Sequence, residues 1–317
     1  IIGRVRVDNS DQDAFEEYNA STRATFTEGS TKGFYGHTKQ NDRFVYADVM
    51  ASINKTFLND KLSLNANIGT SINDTQEDAM YLKGGLSQVT NKFHLGNINI
   101  NTSKRGESKW HDQVQSIFVN TELGWNHQLY LTLTGRNDWA SQLAFTSKGS
   151  YFYPSAGLSW LISESFKLPE AVSYLKVRGS WAEVASSPSR YLTQMQYSYN
   201  DQTDTYEYPA NHYNTDLKPE NTKSWEFGMN AKFLKNRINL DVTLYRSNTF
   251  NQTFYVDASA SSGYKKNIVQ TGNIQNQGIE LSLGYSDTFN KVKVSTNLTY
   301  TINQNEIVSL ANGAINP

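Results

Sequence analysis

From residue 237 onward the chain alternates almost strictly between apolar and polar positions. In RINLDVTLY the apolar set is Ile238, Leu240, Val242 and Leu244, with Asn239, Asp241 and Thr243 between them. GIELSLGY repeats this with Ile279, Leu281, Leu283 and Tyr285 against Glu280, Ser282 and Gly284. In KVKVSTNLTY, Val292, Val294, Leu298 and Tyr300 oppose Lys291, Lys293, Ser295 and Asn297. LSLNANIG and LYLTLTG behave alike. A period of two means strands with one apolar and one polar face.

The pattern predicts twelve strands, over 1–9, 17–28, 43–57, 62–74, 111–125, 129–140, 151–161, 174–184, 222–233, 237–256, 275–285 and 292–304. Their connections alternate in length. Short ones fall near 58–61, 126–128, 234–236 and 286–291. Long ones, rich in Gly, Ser, Asn and Tyr, cover 29–42, 75–110, 185–221 and 257–274. A meander with tight turns at one end and long loops at the other is the pattern of an outer-membrane barrel. The fold class expected is therefore all-β: a transmembrane, antiparallel, up-and-down β-barrel.

Charge parity agrees with that expectation. An Arg or Lys on the lipid face costs about 2–4 kcal/mol at the bilayer midplane, so charges belong on the other parity. Arg136 and Asp138 oppose Leu129, Leu131, Leu133 and Trp139; Lys176 and Arg178 oppose Leu175, Val177 and Trp181. Glu226 and Lys232 oppose Trp225, Phe227, Met229 and Phe233, and Asp48 opposes Val45, Ala47, Val49 and Ile53. Arg246 is the main exception, on the apolar parity of its strand. It lies near a strand end, where a long side chain can snorkel. Arg136, Asp138, Lys176, Arg178, Glu226, Asp241, Glu280 and Lys293 are the candidates to line a lumen.

SYFYPSAGLSW (150–160) puts aromatics on both parities. On a barrel wall the even positions, including Phe152 and Trp160, face lipid, and Tyr151 and Tyr153 face the lumen. Eight residues at ~3.3 Å, tilted about 45°, separate Phe152 and Trp160 by roughly 19 Å along the membrane normal, slightly less than the ~25 Å apolar band. Phe152 and Trp160, with Trp139, Trp181 and Trp225, are candidates for the aromatic girdles. Pro154 removes a ladder donor and predicts a bulge or a strand end.

Composition narrows the chemistry. The 317 residues carry a net charge of −1, no cysteine, and 19 Tyr, 15 Phe and 6 Trp. Mean hydropathy is −0.60. The charge balance offers no footprint for nucleic acid. The absence of Cys removes disulfides, thiolate metal sites and thiol nucleophiles. The five histidines (His37, His94, His111, His127, His212) lack ligand spacing, so no metal is expected. His111-Asp112 reads as solvated surface. DNSDQDAFEE (8–17) is acidic but lacks the central Gly and the spaced Glu of a calcium loop. No nucleophile elbow, P-loop or dinucleotide fingerprint is present, and no catalytic or cofactor-binding residue is assigned.

The loop RYLTQMQYSYNDQTDTYEYPANHYN (190–214) carries Tyr191, Tyr197, Tyr199, Tyr206, Tyr208 and Tyr213. Tyr among amides and carboxylates suits a ligand such as a sugar, whose ring face stacks and whose hydroxyls pair. Equally, the rings can pack the loop against the rim. Both readings stand at this level.

GRNDWAS (135–141), YFYPSAGLSWLISESFKLP (151–169), LKVRGSWAEV (175–184), LKPENTKSWEFGMNAKFLKNRINLDVTLYRSNTFNQ (217–252) and TGNIQNQGIELSL (271–283) resemble the C-terminal barrel of SusC/RagA-type TonB-dependent outer-membrane transporters. The resemblance is good over about 130–310 and weaker from 1 to 130. EVASSPSR (183–190) departs from it, since the family more usually has Gly-Asn after this strand. The resemblance implies a 22-stranded barrel with an N-terminal plug, a TonB-contacting segment and a SusD-like surface lipoprotein lid. It implies import of glycans or peptides and localisation in the cell outer membrane. IIGRVRVDNS reads as a strand entered midway and EIVSLANGAINP (306–317) as a loop-like tail. Residues 1–317 are thus expected to be a partial barrel, with the plug and closing strands outside the chain. The rivals to active import are a passive porin or adhesive surface barrel, and a soluble β-rich domain.

Overall fold

The computed structural model describes residues 1–310 apart from 201, 202 and 204. Fourteen strands form in chain order: β1 (Ile2–Tyr18), β2 (Phe34–Phe57), β3 (Leu62–Gly85), β4 (Lys104–Trp125), β5 (Leu129–Ala140), β6 (Ser150–Leu161), β7 (Val172–Ser186), β8 (Ser198–Asn200), β9 (Thr205–Glu207), β10 (Asn211–His212), β11 (Glu220–Phe233), β12 (Ile238–Asp257), β13 (Lys266–Phe289) and β14 (Val292–Ser309). Eleven are long, and each pairs antiparallel with its neighbour in one open meander, β7 passing directly to β11. β8 and β9 make a separate hairpin, and β10 adds a short parallel pairing to β13. A single helical turn, α1 (Ile162–Ser165), sits between β6 and β7.

The expected alternation of connections holds with one strand fewer, except at 162–171, where the helical turn between β6 and β7 makes the connection as long as its neighbour at 141–149. β1 runs without interruption from Ile2 to Tyr18, absorbing the expected break at 10–16. The strand expected over 17–28 does not form beyond Tyr18. Asn19, Arg23 and Ala24 instead accept turn hydrogen bonds from the N–H groups of Thr22, Phe26 and Gly29. Glu28 and Gly29 both adopt positive φ, outside the regular strand region. β2, β3 and β13 each span 24 residues. A membrane crossing takes about 9–11, so the ladders rise well past the bilayer at the long-loop end. β14 extends to Ser309, so the first part of the expected tail is strand; residues 311–317 lie outside the described residues.

Cross-strand register sorts the side chains by face. One rung reads Phe57, Leu62, Trp125, Leu129, Trp160, Val177, Met229, Val242, Leu281 and Tyr300, apolar on every strand from β2 to β14. The next, on the opposite face, reads Thr56, Ser63, Gly124, Tyr130, Ser159, Arg178, Gly228, Thr243, Glu280 and Thr301. Exposure is inverted relative to a water-soluble domain. Ile68, Phe152, Trp225, Phe227 and Leu298 are exposed, whereas Asp48, Ser71, Ser116, Asp138 and Thr243 are buried. Buried apolar clusters are small and include Tyr35 with Leu86 and Ile98, and Leu192 with Leu217 and Ile268, at the long-loop end.

Pro154 needs no bulge on the β5 side, where it stands opposite Gly135 in unbroken register. On the other side the ladder to β7 starts at Ser155, one residue below it. The proline therefore marks a half-sided strand end, one of the two outcomes its missing donor predicts.

Leu240 lies in the apolar rung of Ala231 and Leu283, and Asp241 in the polar rung of Asn230 and Ser282. Leu240→Arg is expected to cost about 2–4 kcal/mol in lipid and to cut the folded yield in outer-membrane fractions severely. Asp241→Arg should assemble far better. Equal heat-modifiable gel bands for the two variants would overturn the assignment of faces.

Candidate functional site

The polar face carries two side-chain networks. In the first, Asp138 on β5 is only 6 % exposed. Its carboxylate accepts from Arg136 Nε at 2.7 Å and from the Tyr153 hydroxyl at 2.7 Å. Arg136 Nη2 donates to Ser116 Oγ at 2.7 Å, and its guanidinium lies 5.8 Å from the Phe118 ring. Tyr151 stacks on Tyr153 at 5.9 Å and lies beside Ser187. Four of the expected lumen residues thus form one unit across β4, β5 and β6.

In the second network Arg178 reaches across β11. Its Nη2 donates to Thr243 at 2.6 Å, and ion pairs run to Asp241 at 3.5 Å and Glu226 at 3.4 Å. Asn230 donates to Asp241 at 3.0 Å. Gly228 permits the crossing, because a Cβ there would collide with the Arg178 guanidinium. The pair partners are one-third or more exposed, so each pair contributes at most about 1 kcal/mol. Lys176 lies two residues along, opposite Asn230. Glu280 and Lys293 share the face, opposite Thr301 and Thr288, but join neither network.

The girdle candidates all occupy the opposite face. Trp160 stands at the short-turn end, where its Nε1 donates to Ser165 in α1 at 2.8 Å and its ring meets Phe166 at 5.9 Å. Phe152 and Trp139 stand at the long-loop end of β6 and β5. Trp181 and Trp225 are cross-strand partners 6.2 Å apart. Arg246 lies directly opposite Trp225 on this face, in the middle of β12 and not near a strand end as expected, because the ladder runs on to Asp257.

The loop between β7 and β11 folds back toward the wall. After Ser187 meets Tyr151, Arg190 places its guanidinium 3.3 Å over the Trp110 ring and donates Nε to Asp112 at 2.9 Å. His111-Asp112 is therefore not simple solvated surface. The Asp112 side chain is 16 % exposed, while His111 contacts Asp74 at 2.6 Å. Tyr191 follows with φ 60°, an uncommon conformation for a bulky side chain. Leu192 then packs into the cluster of Leu217 and Ile268, joined by Tyr213.

Beyond this anchor the remaining tyrosines stand in the open. Tyr199 and Tyr206 pair across the β8–β9 hairpin at 5.2 Å, and Tyr197 meets Tyr208 edge-on at 5.6 Å. Tyr208 joins Tyr264 of the β12–β13 loop through a 3.3 Å hydroxyl contact that raises the Tyr208 pKa above its ordinary value. His212 sits 4.9 Å from Tyr264. Below them a cleft of about 570 Å³ is lined by Gln194, Met195, His212, Tyr213 and Tyr264, among others, with no carboxylate, Lys or Arg among the described residues of its lining. Tyr213 serves packing; Tyr197, Tyr199, Tyr206 and Tyr208 are each more than half exposed.

Sequence reasoning missed Arg190, Trp110 and Tyr264, and it left the Arg4–Asp48 contact at 3.0 Å unpaired. These contacts join residues 44 to 80 positions apart, and nothing local in the sequence signals them.

The chain matches the model of the "TonB dependent receptor-like, beta-barrel" family over residues 4–316. It belongs to that family, and the sheet is outer-membrane barrel wall with its apolar face toward lipid. TonB-dependent receptor P3 of Formosa agariphila is 26% identical over 271 residues, covering 82% of this chain and 27% of the relative. TonB-dependent receptor SusC of Bacteroides thetaiotaomicron is 28% identical over 199 residues, covering 57% and 19%. Among solved structures, the RagAB peptide transporter aligns with a TM-score of 0.85 at 20% identity, covering 98% of this chain and 35% of that one. The outer membrane transporter YddB from Escherichia coli aligns at 0.57 and 12%, covering 89% and 35%. The structural likenesses are of fold. The chain spans about a fifth to a quarter of the length of the curated relatives it matches.

Two outcomes follow from these contacts. Asp138→Ala strands Arg136 and Tyr153 without their acceptor and should cost about 1–3 kcal/mol in urea unfolding of the full-length protein, with Asp138→Asn intermediate. Arg190→Ala should speed amide exchange across residues 188–193 while leaving β6 and β7 protected; unchanged exchange would remove Arg190 as the anchor.

Proposed function

We propose that this chain supplies about half of the barrel wall of a TonB-dependent importer that takes up a nutrient, a glycan or an oligopeptide. On this reading a plug and the remaining strands lie in the rest of the protein. TonB couples energy through that other part, and a SusD-like surface lipoprotein cooperates with the long loops. The observation that carries the reading is the mixed-sign polar face. Arg136, Asp138, Tyr153, Arg178, Asp241 and Glu226 offer donors and acceptors in alternation. Such a surface suits hydrogen bonding to a folded plug, where a passive ion pore would be ringed by one sign. Family membership and the likeness to SusC support the same reading.

The loop tyrosines are the proposed ligand contacts. Tyr199, Tyr206 and Tyr208 offer ring faces and hydroxyls at the rim, and the uncharged cleft beside Tyr264 favours a neutral, hydroxyl-rich ligand over a charged one. Tyr151 and Tyr153 have partners in the wall and the loop, which makes them supports for the site.

A strain lacking the full-length gene, grown on a panel of single glycans and peptides, tests the reading. Growth should fail on one class and be restored by the intact gene only when TonB is present. Restoration without TonB would favour a passive porin. Tyr208→Ala with Tyr264→Ala should weaken binding of that nutrient about ten-fold, or roughly 1.4 kcal/mol, with assembly unchanged.

A further inference from the structure

The contact that pins Arg190 suits any planar cation as well as it suits this loop. Trp110 and Asp112 stand two residues apart on the polar face of β4. The Arg190 guanidinium lies 3.3 Å over the Trp110 ring, and its Nε donates to Asp112 at 2.9 Å. A ring face beside a carboxylate is a recognition set for guanidinium, whose plane stacks and whose N–H groups pair with oxygen. The surroundings are acidic. Register puts Trp110 opposite Glu77 and Glu77 opposite Asp42. The Gln40 amide donates to Glu77 at 3.2 Å and to Asp42 at 3.0 Å. An amide joins the two acids without neutralising either, so the field over this face of β2, β3 and β4 draws cations.

The resident guanidinium is a strained occupant. It comes from the loop that leaves β7, past β6 and β5, and the residue after it, Tyr191, is held at φ 60°. A bulky side chain keeps that conformation only where its surroundings impose it. A guanidinium without this tether meets the same ring and carboxylate free of that strain. The Arg190 side chain is 35 % exposed, so the cradle can be reached from water. We infer that Trp110 and Asp112 form a binding site for an external guanidinium, the arginine side chain of a peptide, and that Arg190 closes this site as a built-in competitor. The cradle lies on β4, apart from the Tyr264 cleft, and its role does not depend on the import reading.

Calorimetric titration of the full-length protein in detergent tests this, with Nα-acetyl-arginine amide as probe and the neutral Nα-acetyl-citrulline amide as its isostere. A short tether presents its group at an effective concentration in the millimolar range. Arg190→Gln and Arg190→Ala each empty the cradle, and each should bind the arginine probe at least about ten-fold more tightly than the wild type. Arg190→Lys keeps a tethered cation and should stay within about three-fold of the wild type. Adding Trp110→Leu and Asp112→Asn to Arg190→Gln should abolish the gain, and the citrulline probe should show none. Equal affinity in the wild type and in both emptied variants would overturn the inference, as would no binding to either. A gain that the citrulline probe shares, that Arg190→Lys matches, or that survives loss of Trp110 and Asp112 would overturn it too.

Discussion

The constraint on which everything else rests is that hydrocarbon supplies no hydrogen-bond partners to a peptide backbone. Each strand must satisfy its donors and acceptors on its neighbours, so the long strands join in one antiparallel ladder, ten registered pairs from β1 to β14. Once the ladder is fixed, pleating leaves each side chain only two directions. A one-residue slip would put Arg178, Asp241 and Glu226 into lipid and Val177, Leu240 and Phe227 into the lumen. At about 2–4 kcal/mol per misplaced Arg or Lys, such a slip outweighs anything the surface ion pairs contribute. Register is therefore set by the bilayer more than by any single contact.

Within that frame the polar face divides by burial. Asp138 is nearly closed off and has two strong donors, so its network is costly to break. Arg178 keeps more water and has several weak partners, which leaves it free to exchange them. The first network behaves as a fixture and the second as an adaptable surface.

Much of this was legible in the sequence because period-two alternation is local. Ile238 to Leu244 announces a face without knowledge of any neighbour, and the same holds for Arg136 with Asp138. In the structure the candidate girdle tryptophans share one face of the sheet and Arg136, Asp138, Arg178 and Asp241 share the other. The failures have a common cause. Residues 17–28 contain enough Tyr, Thr and Phe to read as strand, but the turn at Asn19–Gly29 is set by backbone bonds that composition does not reveal. His111-Asp112 looked like surface because Arg190, the direct partner of Asp112, lies 78 residues away in sequence, reached only by a loop that folds back. Where β-branched alternation ran out, above the bilayer, prediction ran short as well: β2 and β3 continue as polar strand that has no hydrophobic stripe to signal it.

The loop that folds back is coupled to the wall by a chain of contacts rather than by its own sequence. Ser116 holds Arg136, Arg136 and Tyr153 hold Asp138, Tyr153 stacks on Tyr151, and Tyr151 meets Ser187 where the loop begins. Three residues later Arg190 returns to β4, the strand that carries Ser116. The loop thus starts and is pinned on a single patch spanning β4 to β6, whose geometry follows from strand register. The position from which the loop tyrosines extend is thus set by contacts below them.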